Sequence, residues 1–93
     1  MADLEARRWI VFGRVQGIGY RQFARQTAKA IGVRGWVRNL PEGAVEVQAA
    51  APTGALERFK DELRRGPRGA RVEDIDEEVL VQVPQWQSFN IVF

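Results

Sequence analysis

Between an apolar, β-branched stretch and an amphipathic one lies Gly13-Arg14-Val15-Gln16-Gly17-Ile18-Gly19-Tyr20-Arg21. Glycines at 17 and 19 accept positive φ and leave no Cβ in the way of a ligand, so successive backbone N–H groups can line one concavity. Such a loop is an anion nest. It leads into a helix N-terminus, whose unpaired N–H groups and dipole add to the same positive field. Arg21 stands at that junction, where its guanidinium could bind two oxygens of an anion already held by the amides. By itself a two-glycine loop also reads as a plain tight turn. It is neither of the common nucleotide motifs. The dinucleotide fingerprint needs a third glycine where Gln22 stands, and the Walker pattern needs a Gly-Lys-Ser/Thr ending that is absent.

The second chemical element is Gly35-Trp36-Val37-Arg38-Asn39. Asn39 sits just before a Pro41-Glu42-Gly43 turn, at a strand end from which its amide could hold a water molecule by donor and acceptor together. The plainer alternative is an Asn side chain that supports the turn.

The elements that must position these residues follow from periodicity. Trp9 to Val15 alternates and is rich in aromatic and β-branched residues, as a strand buried on both faces would be. From Gln22 to Ile31 the period becomes helical, with Ala24, Thr27, Ala28 and Ile31 on one stripe, Phe23 at its edge, and Gly32 as a left-handed cap followed by Val33. Gly35 to Leu40 and Ala44 to Ala50 form a hairpin, in which Val45, Val47 and Ala49 alternate with a wet face of Glu46, Gln48 and Ala50. Thr53 is placed to cap a second helix carrying Leu56, Phe59 and Leu63, with Arg64 and Arg65 in its last turn and Gly66-Pro67 as its stop. Val72 to Val83 reads as a long strand interrupted by the acidic segment Glu73 to Glu78, and Ser88 to Phe93 as a short last strand with Phe89, Ile91 and Phe93 on one side. The order implies an α+β, ferredoxin-like split βαβ plan: β-α-β-β-α-β plus a short C-terminal strand, an antiparallel sheet with two helices on one face.

Composition narrows the chemistry. Ninety-three residues, 45% hydrophobic and 28% charged, fit one compact domain, taken as residues 1–93 with a core of about 7–93. The chain has no cysteine and no histidine. That removes disulfides, thiolate nucleophiles, zinc ribbons, Ser-His triads and the usual general base, leaving Arg, Lys, Asn, carboxylates, hydroxyls and backbone amides. No apolar run suits a membrane helix or a signal peptide, so a cytoplasmic location is the default expectation. Residues 1–41 hold eight Lys/Arg and two Asp/Glu, the rest six and ten. The arginine-rich first half fits an anionic partner, or simply a solvated surface.

Together, "GRVQGIGYR" and "GWVRNLPEGAVEV" resemble the acylphosphatase family, with looser support from "GPRGARVEDI" and the aromatic end of the chain. Ile18 and Tyr20 are conservative departures from the family's usual Val and Phe, and Ala51 stands where Gly is common, which bears on a local turn. The resemblance covers roughly residues 7–93. It implies a metal-independent hydrolase without organic cofactor, acting on a small-molecule acyl phosphate to give carboxylate and inorganic phosphate. It also implies that Arg21 and Asn39 are the catalytic pair.

The chemistry is consistent with that implication. A carboxylate leaving group, with a pKa near ~4, needs no protonation at neutral pH, so a missing histidine is no obstacle. Phosphoryl transfer asks mainly for positioning and for donors around three equatorial oxygens. The amides of Gln16, Gly17, Ile18, Gly19, Tyr20 and Arg21 are the expected phosphate-binding set, with inorganic phosphate or sulfate as site ligands. Asn39 is expected to orient water, and a phosphate oxygen to take its proton. A monomer that binds neither nucleic acid nor membrane is expected. Two alternatives remain: a non-catalytic domain or one associated with carbamoyl transfer, and an RNA-binding ferredoxin-like module, which would need aromatics on the third strand. Arg14, Arg34 and Arg38 are expected to be solvated, and Trp9, Trp36 and Trp86 to belong to the core or its edge.

Overall fold

A computed structural model describes residues 3–93. Along the chain run β1 (Leu4–Arg14), α1 (Tyr20–Ile31), β2 (Arg34–Asn39), β3 (Val45–Pro52), α2 (Thr53–Arg65), β4 (Arg71–Val79) and β5 (Phe89–Ile91). The strands form one sheet in the order β4-β1-β3-β2-β5. The first four are antiparallel throughout, whereas β5 joins β2 in parallel. The reason is directional. β4 ends at the end of the sheet where β2 begins, so the chain crosses that end over residues 80–88 and returns in β2's direction.

One face of the sheet carries Trp9, Val11, Val37, Val45, Val47, Ala49 and Phe89, and both helices pack on it through Tyr20, Ala24 and Ala28 from α1 and Leu56, Phe59 and Leu63 from α2. Phe59 sits edge-on between Trp9 and Phe89, with ring centroids 5.7 and 5.6 Å away. Burying each such side chain contributes about 1.5–3 kcal/mol, which fixes the helices over the sheet. Gly32 closes α1 in the left-handed region, its N–H bonded to the Ala28 carbonyl, and Val33 follows into the core.

Several expectations are corrected. β1 is covered on one face only, because both helices lie on the same side: Ile10 is half-buried and Phe12 exposed. α1 starts at Tyr20, two residues before Gln22, so its buried stripe is Tyr20, Ala24 and Ala28, with Thr27 and Ile31 at the margin. β3 continues past Ala50, making Ala51 a buried strand residue opposite Glu5 and no part of a turn. Thr53 is the first helical residue and makes no capping bond; Pro52 holds the cap position. β4 runs unbroken through the acidic segment, since an edge strand can keep its carboxylates in water, but it stops at Val79. The last strand is shortened to Phe89–Ile91.

The hairpin's outer face is not uniformly wet. Glu46 is buried there between Arg8 and Arg38, with N···O distances of 2.5 and 2.7 Å. Burial would raise its carboxyl, but the two guanidinium groups outweigh that and hold it below the usual carboxylate range. Arg38 also lies over the half-buried Trp36 ring, 5.4 Å from its centroid, so it is engaged and not freely solvated. Trp9 is fully buried and Trp86 half-buried in the 80–88 crossing.

Candidate active site

The ends of β1, β2 and β5 and the start of α1 meet at one end of the sheet. Gly17 and Gly19 both take left-handed backbone, with φ of +75° and +82°, and nothing lies within 4 Å of where their Cβ atoms would be. The demand for glycine here is therefore conformational, since any other residue would pay the left-handed penalty. Gly19 occupies the cap position of α1 without a side-chain cap, and no acidic residue stands in the first turn. The first helical bond is Phe23 N–H to the Gly19 carbonyl at 3.0 Å. The amides of residues 20–22 are accordingly left without helical acceptors, and the positive end of the dipole is unopposed by its own sequence.

The loop is held from two sides. The Gln16 side-chain amide donates to the main-chain carbonyls of Leu40 and Ala44, both at 2.8 Å, which fastens the loop to the β2–β3 turn. The buried Tyr20 hydroxyl donates to the Leu63 carbonyl at 2.6 Å, anchoring the start of α1 to the last turn of α2. Burial raises the Tyr20 phenol well above its ordinary value, so this side chain stays neutral. Ile18 packs against the core.

A cleft of about 210 Å³ brings Gly17, Gly19, Tyr20 and Arg21 together with Asn39, and Val15, Gln22, Ile91 and Phe93 complete its wall. Gln16 and Ile18 do not line it: the Gln16 side chain is committed to the hairpin, and Ile18 turns to the core. No Asp or Glu lines the cleft among the described residues. Asn39 Oδ1 is buried and has no hydrogen-bond partner among the described residues. An acceptor left so costs about 1–3 kcal/mol, a cost relieved by any donor that enters the cleft. Arg21 also forms no ion pair among the described residues, whereas Arg7, Arg8 and Arg38 are all bound to carboxylates. Its guanidinium carbon lies 5.2 Å from the centroid of the Phe93 ring.

The larger cleft, about 730 Å³, lies at the opposite end of the sheet between Arg34, Pro52 and Trp86, and holds none of the motif residues. The Glu73–Glu78 segment is mostly a solvated edge, but Ile75 is buried, Glu78 pairs with Arg8 at 3.6 Å and Glu77 is the most engaged of its carboxylates. Glu77 accepts a bond from the Trp9 indole at 2.8 Å and pairs with Lys60 at 3.3 Å. Burial would raise its carboxyl, and these partners together with Arg7 draw it below the ordinary value.

Sequence reasoning missed the roles of Ile91 and Phe93. Their alternation with Phe89 was visible, but it signals packing, and only the parallel pairing with β2 carries them past the core to the cleft.

The family model described as Acylphosphatase matches residues 7–91. An acylphosphatase of Solibacter usitatus is 46% identical over 87 residues, covering 94% of this chain and 90% of that one. The crystal structure of acylphosphatase from Bacillus subtilis superposes with a TM-score of 0.93 at 35% identity, covering 98% of this chain and all of that one. The fold is also found in full-length HypF, where it covers 12% of the longer chain at 24% identity and a TM-score of 0.88. With a match over nearly its whole length and close identity to a relative of the same size, this chain belongs to the acylphosphatase family of hydrolases.

Proposed function

We propose that the loop amides lining the cleft, those of Gly17, Gly19, Tyr20 and Arg21, and the Arg21 guanidinium seat the phosphoryl group of an acyl phosphate, while Asn39 orients the water that displaces the acyl group. The observation that carries this reading is the buried Asn39 Oδ1, without a partner among the described residues, in the same cleft as an Arg21 that forms no ion pair among them. An amide oxygen in that position accepts a hydrogen bond from the water and so aims the water oxygen's lone pair at phosphorus.

In the step itself, the water oxygen forms a bond to phosphorus as the bond from phosphorus to the acyl oxygen breaks. The carboxylate departs with the electron pair, and a phosphate oxygen takes the proton. Asn39 is too weak a base to do so, Tyr20 is a neutral phenol bonded to Leu63, and the Arg21 guanidinium offers donors but no acceptor. Charge on the equatorial oxygens is met by the nest amides, the open start of α1 and the guanidinium fork. In this reading the protein acts as a monomer, without metal, on a diffusible substrate.

The test is hydrolysis of benzoyl phosphate in the presence of chelator, with Arg21→Ala and Arg21→Lys alongside. Removing a donor of this kind costs about 10²–10³-fold in rate, and lysine lacks the planar fork. Chelator-insensitive turnover that falls by that factor in both variants, with weaker phosphate inhibition, is the expected result. Turnover retained in Arg21→Ala would overturn the assignment.

A further inference from the structure

The polar groups of the cleft come from the 17–22 segment and from Asn39, whereas β5 and the residues just after it supply the apolar side chains of Ile91 and Phe93. In the parallel register Val37 pairs with Ile91, and the Val92 N–H donates to the Val37 carbonyl at 2.9 Å. Two residues past Ile91, Phe93 reaches the same cleft as Asn39 and Ile91. The Phe93 side chain is fully exposed to solvent at the rim, with the Arg21 guanidinium against its ring at 5.2 Å. An exposed ring beside the phosphoryl seat has a free face and edge turned to whatever leaves that seat.

We infer that Phe93 is a specificity-determining residue, whose ring contacts the acyl substituent and favours acyl phosphates with an aromatic or bulky apolar acyl group over those with a methyl or amino substituent. This rests on the proposed function above. A phosphoryl group held by the loop amides and Arg21 must extend its acyl group away from them. Among the residues lining the cleft, the large apolar surfaces outside the loop and α1 belong to Ile91 and Phe93. The stacking preference of an aromatic pair corresponds to a two- to tenfold selectivity. Small acyl groups, with little apolar surface, gain less from it.

The experiment compares kcat/KM for benzoyl and acetyl phosphate in the wild-type protein, Phe93→Ala and Phe93→Leu, with inorganic phosphate as inhibitor throughout. We expect the benzoyl-to-acetyl ratio to fall about two- to tenfold in Phe93→Ala and by a smaller factor in Phe93→Leu, which keeps bulk but not the ring. The phosphate inhibition constant should move less than about twofold, because the contact is with the acyl side. Parallel losses on both substrates with weakened phosphate inhibition would mean that Phe93 merely holds Arg21, and would overturn the inference, as would an unchanged ratio. Wild-type protein that hydrolyses neither substrate would instead refute the underlying function.

Discussion

Gln16 and Leu40 are joined by a 2.8 Å hydrogen bond from side-chain amide to main-chain carbonyl, and Leu40 is the residue that follows Asn39. The same amide reaches the Ala44 carbonyl on the far side of the turn, also at 2.8 Å. One side chain thus ties the glycine loop to the strand end that carries Asn39, so the two halves of the proposed site are set at a fixed spacing by a residue that does not line the cleft.

Gln16→Ala removes both bonds and leaves two carbonyls to find other donors. We expect about 1–3 kcal/mol lower stability by urea denaturation and roughly tenfold lower kcat, with the inhibition constant for phosphate changing less than kcat. Gln16→Glu, which cannot donate when ionised, should behave the same way. Unchanged kcat in both variants would show that the tie does not set the geometry.

Gly19→Ala puts a methyl into open space but forces a left-handed backbone onto alanine, at a cost of about 1–2 kcal/mol. The fold should survive, with the strain released by rearrangement of the nest. Isothermal titration with phosphate should then report weaker binding, while circular dichroism stays unaltered. Full phosphate affinity in the variant would argue against the nest.

Glu46 predicts how stability responds to acid. Its folded-state carboxyl is held below the ordinary value by Arg8 and Arg38, so its contribution is fully present above the unfolded pKa, near ~4.3, and is lost as pH falls through the lower folded value. Both arginines are partly solvated, which reduces the contribution to about 1–2 kcal/mol. Denaturation series from pH 6 to 3 should show Glu46→Gln less stable than wild type at pH 6, with the gap narrowing toward pH 3. A gap that stays constant across the range would contradict the ion-pair assignment.

How much of this was legible in the sequence depends on the kind of residue. The helices and the hairpin were readable because Ala24, Ala28, Leu56, Phe59 and Leu63 repeat at helical spacing and Val45, Val47 and Ala49 at strand spacing, and burial follows those periods. The loop and Asn39 were singled out because paired glycines can form a nest and a carboxamide can hold water, but each read equally as a plain turn, and their roles came from the family resemblance. Long-range placement was not. That Gln16 spends its amide on Leu40 and Ala44, that Glu46 is buried by two arginines, and that β5 lies parallel to β2 and brings Phe93 to Arg21 all depend on contacts between segments far apart in the chain. Local pattern also misjudged β1, because alternation of apolar residues cannot say on which side both helices will settle.

The division of labour between Asn39 and the phosphate seat is tested most directly by steady-state kinetics of Asn39→Ala with benzoyl phosphate, alongside its phosphate inhibition constant and thermal midpoint. Removing an acceptor that has no partner among the described residues should leave the midpoint unlowered. We expect kcat to fall about 10²–10³-fold while the phosphate inhibition constant changes less than twofold. Normal turnover in Asn39→Ala, or a loss matched by an equal loss of phosphate affinity, would contradict the account.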